Sequence, residues 1–298
     1  MIGRILVGTC SWADKSLIDC KRFYPPEATT AEARLRFYAS RFPTVEVDSA
    51  YYGLPTEANA ALWVERTPPQ FVFDVKAFRL LTHHPTPPEA LPWEIKPALG
   101  RLAEKHSLYY RDLPPGTRDE VWRRFDSALL PLDSAGKLGV VLFQFPPWFL
   151  PGRESSAYIL EAREHLPQYR MAVEFRNNRW LAEENRSRTL DLLRGHSISL
   201  VCVDEPQGFP SSAPPLAEAT ADVAVVRFHG RNAATWARKG ATVAERFDYL
   251  YSEEELRQWR SPIERLAATT GETHVLMNNC VQDKAVVNAG QMRALLDV

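Results

Sequence analysis

The chain has 298 residues, 45% of them hydrophobic, and its 36 lysines and arginines nearly cancel 37 aspartates and glutamates. A net charge of -1 excludes a protein that attracts nucleic acid or an acidic membrane surface through its overall field, so a charged partner has to be met locally. No apolar run approaches the roughly 20 residues that span a bilayer, and the hydrophobic patch within residues 1–12 is too short for a signal peptide. We therefore expect a cytoplasmic protein without a membrane partner.

The cysteines indicate neither a zinc site nor a disulfide framework. Their spacing contains no C-x-x-C pair, and the four residues are Cys10, Cys20, Cys202 and Cys280. Scattered thiols of this kind are expected to be reduced. Cys10 and Cys280 belong to the first and last predicted strands and are expected to serve as packing residues.

Segments rich in Val, Ile, Leu and Phe recur along the chain, and most are separated by a segment of helical character. The predicted strands are 5–12, 44–52, 71–78, 139–147, 171–178, 198–206, 223–230 and 273–279. The predicted helices are 31–42, 56–66, 119–132, 156–166, 181–195, 253–271 and 283–298. Pro262 lies near the middle of the sixth of these helices and is expected to be able to split it. Strand followed by helix, repeated, predicts a parallel sheet.

Eight strands and about eight helices in just under 300 residues predict an α/β protein, a single (β/α)8 TIM barrel whose one domain spans residues 1–298. An open doubly wound sheet is the alternative, but the first strand lacks a G-x-G-x-x-G turn and the sequence has no P-loop. Residues 79–118 interrupt the rhythm with a long proline-rich loop after strand 3. Such a loop serves either as a lid or pocket wall or as surface decoration.

Charged residues inside the strands point to a site at one end of the barrel. Outward side chains of a parallel barrel pack on helices, so a charged residue in mid-strand faces the interior or the C-terminal mouth. In the seventh strand, Arg227, His229 and Arg231 alternate with Val226 and Phe228. The same alternation places at the mouth Glu46, Asp48, Tyr52, Asp74, Lys76, Gln144, Glu174, Arg176, Asp204, Asn278 and Asn279.

A structural interpretation of these charges is also available. Glu174 with Arg176, or Glu46 with Lys76 on the neighbouring strand, can simply neutralise each other in an inner layer of the barrel. One such pair is typical of structure, whereas several cations converging with several carboxylates are typical of a functional site.

Each polar residue type suggests a role. His229 is a candidate for proton transfer because its ordinary pKa lies near neutrality, and Glu174 is a candidate general base. Arginines suit bidentate capture of a phosphate or carboxylate, and Lys76 can act there as a point charge. The predicted catalytic residues are Glu174, His229, Glu46 and Lys76. The predicted substrate-binding residues are Arg176, Arg227, Arg231, Gln144, Tyr52, Asn279 and Trp12.

The same residues also suit other binding modes. Glu46, Glu174, Asp204 and His229 also form an oxygen-and-nitrogen set for a metal, but the interleaved arginines already supply positive charge, so a metal is not favoured. No cofactor is assigned. The aromatic residues Tyr51, Tyr52, Trp12 and Trp148 suit stacking on a ring or packing at the rim. A basic rim that would suit nucleic acid is formed by Arg79, Arg231, Arg238 and Lys239.

Many motifs resemble one family in order along the chain. They are GTCSW at 8–12, FYPP at 23–26, RFYASRFPTVEVDSAYYGLP at 36–55, FDVKAFRLLTHH at 73–84, LFQFPP at 142–147, VEFRNNRW at 173–180, RFHGRN at 227–232, FDYLYSEEEL at 247–256 and NN with KAVVNA at 278–289. From about residue 5 to 296, the chain resembles the YecE-like family, also called domain of unknown function 72. The resemblance implies a TIM barrel and carries no established activity.

The resemblance also implies which positions belong to the family's motifs. These are Glu46, Lys76, Gln144, Glu174, Arg176, Arg227, His229, Gly230, Arg231 and Asn279. The chain departs from many relatives at Asn177, where they have a histidine, and at Asp48, where they have an asparagine. A role for those two side chains does not carry over.

The leading functional hypothesis is an enzyme that binds a small anionic or phosphate-bearing substrate at the mouth. Arg176, Arg227 and Arg231 would hold the anion, and Glu174 and His229 would transfer protons in a hydrolysis or an isomerisation. The alternatives are a metal-dependent phosphoesterase resembling barrel endonucleases and a non-catalytic module that binds nucleic acid or protein. The sequence leaves the oligomeric state open.

Overall fold

A closed barrel of eight parallel strands forms the centre of the computed structural model, which describes residues 3–298. The strands are β1 Arg4–Thr9, β2 Thr44–Val47, β3 Val72–Lys76, β4 Leu138–Phe145, β5 Met171–Phe175, β6 Ile198–Asp204, β7 Val223–Phe228 and β8 Glu272–Met277. Each strand pairs with its neighbour in sequence, and β8 closes the barrel against β1. The predicted (β/α)8 barrel is confirmed.

Helices connect the strands and cover the outside of the barrel. They are α1 Lys15–Asp19, α2 Ala31–Arg41, α3 Ser49–Tyr52, α4 Glu57–Glu65, α5 Lys96–Leu99, α6 Pro115–Ser134, α7 Arg153–His165, α8 Glu183–Gly195, α9 Ala233–Trp236, α10 Val243–Phe247, α11 Glu253–Ala267 and α12 Lys284–Leu296. Within residues 3–298, no helix is long and apolar enough to cross a membrane.

Hydroxyl side chains set where several helices begin. Thr30, Thr56 and Ser252 each accept a hydrogen bond from a backbone N–H in the first turn of the helix that follows, which satisfies a donor without an intrahelical partner. The helix from Ser252 continues through Pro262 without splitting. Its buried apolar residues lie on both sides of the proline, so packing on the barrel offsets the lost hydrogen bond.

All eight predicted strands extend past the observed strand ends, and after β2 and β7 this changes the position of a predicted site residue. Asp48 has helical backbone angles, φ -70° and ψ -26°, so the chain leaves the sheet directly after Val47. Tyr52 therefore lies at the end of α3 rather than on a strand, and 53% of its surface is exposed. Likewise β7 ends at Phe228, and Arg231 lies in the turn before α9.

The chain between β3 and α6 is folded rather than extended. It contains α5 and four 3₁₀ turns, at Arg79–Thr82, Pro88–Ala90, Gly100–Glu104 and Tyr110–Asp112. Thr86 and Leu108 pair across it in an antiparallel bridge, and Tyr158 of α7 donates a hydrogen bond to the Leu81 carbonyl at 2.7 Å. The segment thus packs against the barrel, and its first turn lies beside the mouth.

Two polar layers lie inside the barrel. The lower one contains Asp74, which sequence parity had assigned to the mouth. Its carboxylate contacts Nδ1 of His274 at 2.9 Å, and both side chains are fully buried. Gly139 leaves the space for this pair, because a Cβ there would lie 2.2 Å from the Asp74 carboxylate. The upper layer carries the candidate site.

Candidate active site

Arg227 forms the centre of the upper layer and joins two carboxylates from different strands. Its Nη1 donates to Oε2 of Glu174 on β5, and its Nη2 donates to Oε1 of Glu46 on β2 at 2.8 Å. All three side chains are fully buried. Alternation along the strands thus brings together Glu46, Glu174 and Arg227, which lie far apart in the sequence.

Glu174 is surrounded by donors. Besides Arg227, its Oε1 accepts from Gln144 at 2.6 Å, from Nε2 of His229 at 3.0 Å and from Arg176 at 3.2 Å. Burial by itself would raise the pKa of this carboxyl, but the charge of Arg227, the hydrogen bond from His229 and the charge of Arg176 hold the pKa well below its usual range. Glu174 is therefore an ionised anchor for its neighbours, and it is poorly suited to the role of general base.

Glu46 has the opposite environment. Its Oε1 accepts from Arg227, whereas its Oε2 receives, within residues 3–298, only a weak hydrogen bond from the Cys10 thiol, at 3.5 Å. Burial raises the pKa of Glu46 to about 7, and the charges of Arg227 and Lys76 counter it only in part. Two carboxyl groups held by one guanidinium thus differ in protonation, an arrangement that marks acid and base assignments in enzymes.

His229 is neutral and has a defined tautomer. The amide Nδ2 of Asn278 donates to His229 Nδ1 at 2.8 Å, so Nε2 carries the ring proton and donates to Glu174. Burial lowers the pKa of His229 to about 4, although the nearby Glu174 acts to raise it. The expectation that His229 transfers protons near neutral pH assumed the ordinary pKa of histidine, and burial shifts the pKa away from that value.

Lys76 and Arg176 bring positive charge to the solvent-facing side of this layer. Lys76 donates to Asp48 at 2.9 Å, and 10% of its side chain is exposed. Arg176 has 14% of its side chain exposed, contacts Glu205 at 3.0 Å and lies 4.7 Å from the centre of the Trp236 ring. These two cations, with the amides of Gln144 and Asn278, form the floor of the mouth.

The three arginines predicted to hold an anion face different partners. Arg227 is enclosed by Glu46 and Glu174, and Arg176 is shared between carboxylates. Arg231 makes a bidentate pair with Asp204, at 2.9 and 2.7 Å. Their charges are thus largely used within the protein, and Arg176 alone of the three lies on the floor described above.

Two predicted substrate-binding residues are buried and contact other parts of the protein. Trp12 is buried with its ring packed edge-on against Trp63 of α4, at 5.9 Å between centroids. Asn279 is fully buried and donates to the Tyr249 carbonyl and to Oδ1 of Asn288, both at 2.8 Å. Side-chain alternation is lost once the chain has left the strand, so Asn278 rather than Asn279 contacts His229.

The residues of the alternative metal set are not assembled around one point. Glu46 and Glu174 turn oxygens toward Arg227, while Asp204 accepts from Tyr251 and Trp259, each at 2.7 Å. Among residues 3–298, no group of three or more His, Cys, Asp and Glu side chains is placed to hold a metal ion.

The basic rim suggested for nucleic acid is neutralised in part. Arg231 and Arg238 are bonded to Asp204 and Glu245, and Arg79 donates to the Pro85 carbonyl. These contacts leave less unpaired charge for a phosphate backbone than the sequence suggested.

Sequence reasoning missed Glu205 and His84. Glu205 directly follows β6, and burial raises its pKa to about 7 although Arg176 acts to lower it. It accepts the Ala213 N–H at 2.7 Å and lines a groove of about 670 Å³ with Trp259. His84 lies in the connection after β3, outside any periodic segment, so alternation did not mark it, although it ends the motif FDVKAFRLLTHH at 73–84.

Fold and site together define a TIM-barrel protein with paired charges at the C-terminal ends of its strands. Residues 6–298 match the model of the family described as "Protein of unknown function DUF72", and the chain belongs to this family. The resemblance found in the sequence motifs is thereby confirmed.

Similar proteins span the whole chain. UPF0759 protein YunF of Bacillus subtilis (strain 168) is 32% identical over 299 residues, which cover 99% of this chain and 95% of that protein. The crystal structure of a DUF72 family protein from Enterococcus faecalis V583 is similar with a TM-score of 0.81 and 28% identity, covering 99% of this chain and 96% of that one. A DUF72 family protein from Thermotoga maritima MSB8 has a TM-score of 0.77 and 31% identity, covering 99% and 100%.

Proposed function

We propose that this protein is an enzyme that binds a small anionic substrate, such as a phosphate ester or a carboxylate, at the barrel mouth and transfers a proton through Glu46. The observation that carries the proposal is the buried pair around Arg227. Glu46 has a pKa of about 7, while that of Glu174 lies well below the usual range. Carboxyl groups separated in this way are typical of acid–base catalysis.

Lys76 and Arg176 support the anionic character of the substrate. The ammonium group of Lys76 and the guanidinium group of Arg176 lie on the floor of the mouth, and part of each side chain is exposed. The amides of Gln144 and Asn278 lie beside them and suit the orientation of a polar substrate. The exposed rings of Tyr52 and Trp148 supply apolar surface at the rim.

Glu46 suits the reacting proton because its two protonation states are close in free energy at neutral pH. It lies deeper than Lys76, since Glu46 is fully buried whereas part of the Lys76 side chain is exposed. The lysine side chain has to move aside for a substrate atom to reach the carboxyl. In an isomerisation Glu46 removes and returns a proton, and in a hydrolysis it protonates the leaving group.

Glu174 and His229 position this machinery. The ionised Glu174 holds Arg227, His229, Gln144 and Arg176 in place through one carboxylate.

We place the enzyme in the cytoplasm, because all four cysteines are free thiols.

The test is ligand-induced stabilisation in a panel of inorganic phosphate, phosphorylated sugars and dicarboxylates. A ligand at a hundred times its Kd raises the free energy of unfolding by about 2.7 kcal/mol, which is readily seen as a higher Tm. We expect Lys76→Met and Arg176→Gln to lose the response. Arg41→Gln is the matched control, since Arg41 ends α2 at the opposite end of the barrel.

The result that would overturn the proposal is the absence of a response to every anion in the wild type. Equal responses in the wild type and both mouth variants would also overturn it, because the anion would then be bound elsewhere.

A further inference from the structure

The ring of His84 reaches the mouth from the connection that follows β3. Its centroid lies 5.2 Å from the Tyr51 ring, at 82°, and 5.9 Å from the Trp148 ring, at 71°. Nζ of Lys76 lies 4.5 Å from the centre of the same Tyr51 ring, and the Arg79 guanidinium lies 5.4 Å from it. His84, Lys76 and Arg79 therefore share one aromatic neighbour at the rim.

Thr82 defines the tautomer of His84. The Thr82 hydroxyl donates to the Arg79 carbonyl at 3.1 Å, so it accepts from Nδ1 of His84 at 2.9 Å. The ring proton is therefore on Nδ1, and Nε2 carries the lone pair. Among residues 3–298 the hydrogen bond through Nδ1 is the one that the ring makes, so Nε2 is available to a ligand.

Positive charge surrounds this lone pair. Burial together with the charges of Lys76 and Arg79, and smaller contributions from His83 and Arg176, lowers the pKa of His84 to about 3. Carboxylates lie beside two of these cations: Asp48 is bonded to Lys76 at 2.9 Å, and Arg176 contacts Glu205 at 3.0 Å and Glu174 at 3.2 Å. An anion that enters among the cations would remove much of the repulsion that keeps the imidazole neutral.

We propose that His84 is a second acid–base residue of this site, which takes up a proton from solvent as the anionic group of the substrate enters. Nε2–H then donates to an oxygen of that group. When the proton is transferred, the Nε2–H bond breaks as an O–H bond forms on the substrate, and the ring returns to its neutral form with Nδ1–H retained. The inference rests on the proposed function, since it uses the same anionic substrate.

The experiment follows the histidine ring nitrogens by NMR in ¹⁵N-histidine-labelled protein, with sulfate as a dianionic probe that does not itself titrate. His84→Gln assigns the signal. Without sulfate we expect His84 to stay neutral, with Nδ1 protonated, at every pH above about 4. With saturating sulfate we expect its pKa to rise by two units or more.

Sulfate affinity provides a second readout that a structural role would not change. Because binding takes up a proton at His84, the affinity of the wild type should increase as the pH falls. For a rise of two units, His84→Gln should weaken binding about tenfold at pH 4 and about twofold at pH 5, and should leave it unchanged at pH 8. His106→Gln, an exposed histidine in the same connection, is the control and should keep the wild-type pH dependence.

The outcomes separate the two proposals. If sulfate binds, Lys76→Met abolishes binding and the His84 signal does not change, the inference about His84 is overturned and the proposed function stands. If sulfate does not bind, or binds equally well to Lys76→Met, the inference about His84 is overturned. The proposed function is overturned with it when inorganic phosphate, phosphorylated sugars and dicarboxylates also give no response in the wild type, or give equal responses in Lys76→Met.

Discussion

Glu46→Gln should change stability in a way that depends on pH. With an ordinary pKa of 4.5 and a pKa of about 7 in the folded protein, ionising Glu46 costs the folded state about 3 kcal/mol, at roughly 1.4 kcal/mol per pKa unit. A raised carboxyl pKa gives stability that is present at low pH and is lost as the pH rises from 4.5 through 7. Glutamine resembles the protonated form and does not lose it. Relative to the wild type, the variant should gain about 3 kcal/mol between pH 4.5 and pH 8.

Glu174→Gln is the matched control, because Glu174 is equally buried and bonded to the same arginine. Its lowered pKa means that its contribution is present throughout this range and is lost only at lower pH. Removing its charge leaves Arg227 short of a buried partner and should lower stability by about 3–5 kcal/mol at every pH above 5.

Urea unfolding of the three proteins at pH 5, 6, 7 and 8 measures both effects, and titrations elsewhere cancel in the differences. The reasoning would be refuted if the effect of Glu46→Gln were constant with pH, or if it were as destabilising as Glu174→Gln.

Three further predictions concern the scaffold. Burial acts to lower the pKa of His274, but its carboxylate neighbours Asp74 and Glu272 raise it to about 9. The stability that this charge contributes is therefore fully present below pH 6.5 and is lost as the pH rises through 9. His274→Gln should not show that loss in thermal melts. Gly8→Ala would place a methyl group 2.1 Å from a carbonyl oxygen of β2 and should lower Tm sharply, whereas Gly290→Ala in α12 meets nothing within 4 Å and should gain about 0.5–1 kcal/mol. Asp204→Asn should lower the free energy of unfolding by about 1–3 kcal/mol. Arg231→Gln should lower it by less, because Asp204 still accepts from Tyr251 and Trp259. Equal decreases in the free energy of unfolding, measured by denaturant unfolding, would contradict this.

The barrel and the buried layer could be predicted because both follow from alternation along strands. Side chains on a strand alternate between two faces, so Glu46, Glu174 and Arg227 had to face the interior once the apolar residues beside them packed on helices. Helix starts were predictable for a similar local reason, since Thr30 and Ser252 cap the helices that follow them.

The roles of the site residues could not be predicted in the same way. A pKa depends on burial and on neighbours that come from other strands, so the sequence could not show that Glu46 and Glu174 differ or that His229 is neutral. Alternation also fails beyond a strand, which misplaced Asn279. His84 lies in an irregular connection, where position is decided by tertiary packing alone.

The central claim is that Glu46 and Glu174 share one arginine and yet differ in protonation. Carboxyl ¹³C NMR of glutamate-labelled protein, with Glu46→Gln and Glu174→Gln as assignments, measures this directly. The account predicts that Glu46 is half-protonated near pH 7 while Glu174 is still ionised at pH 4. The carboxyl of Glu205 should also have a raised pKa, of about 7. Two carboxyl groups that titrate together near 4.5, or a Glu174 that titrates above Glu46, would contradict it.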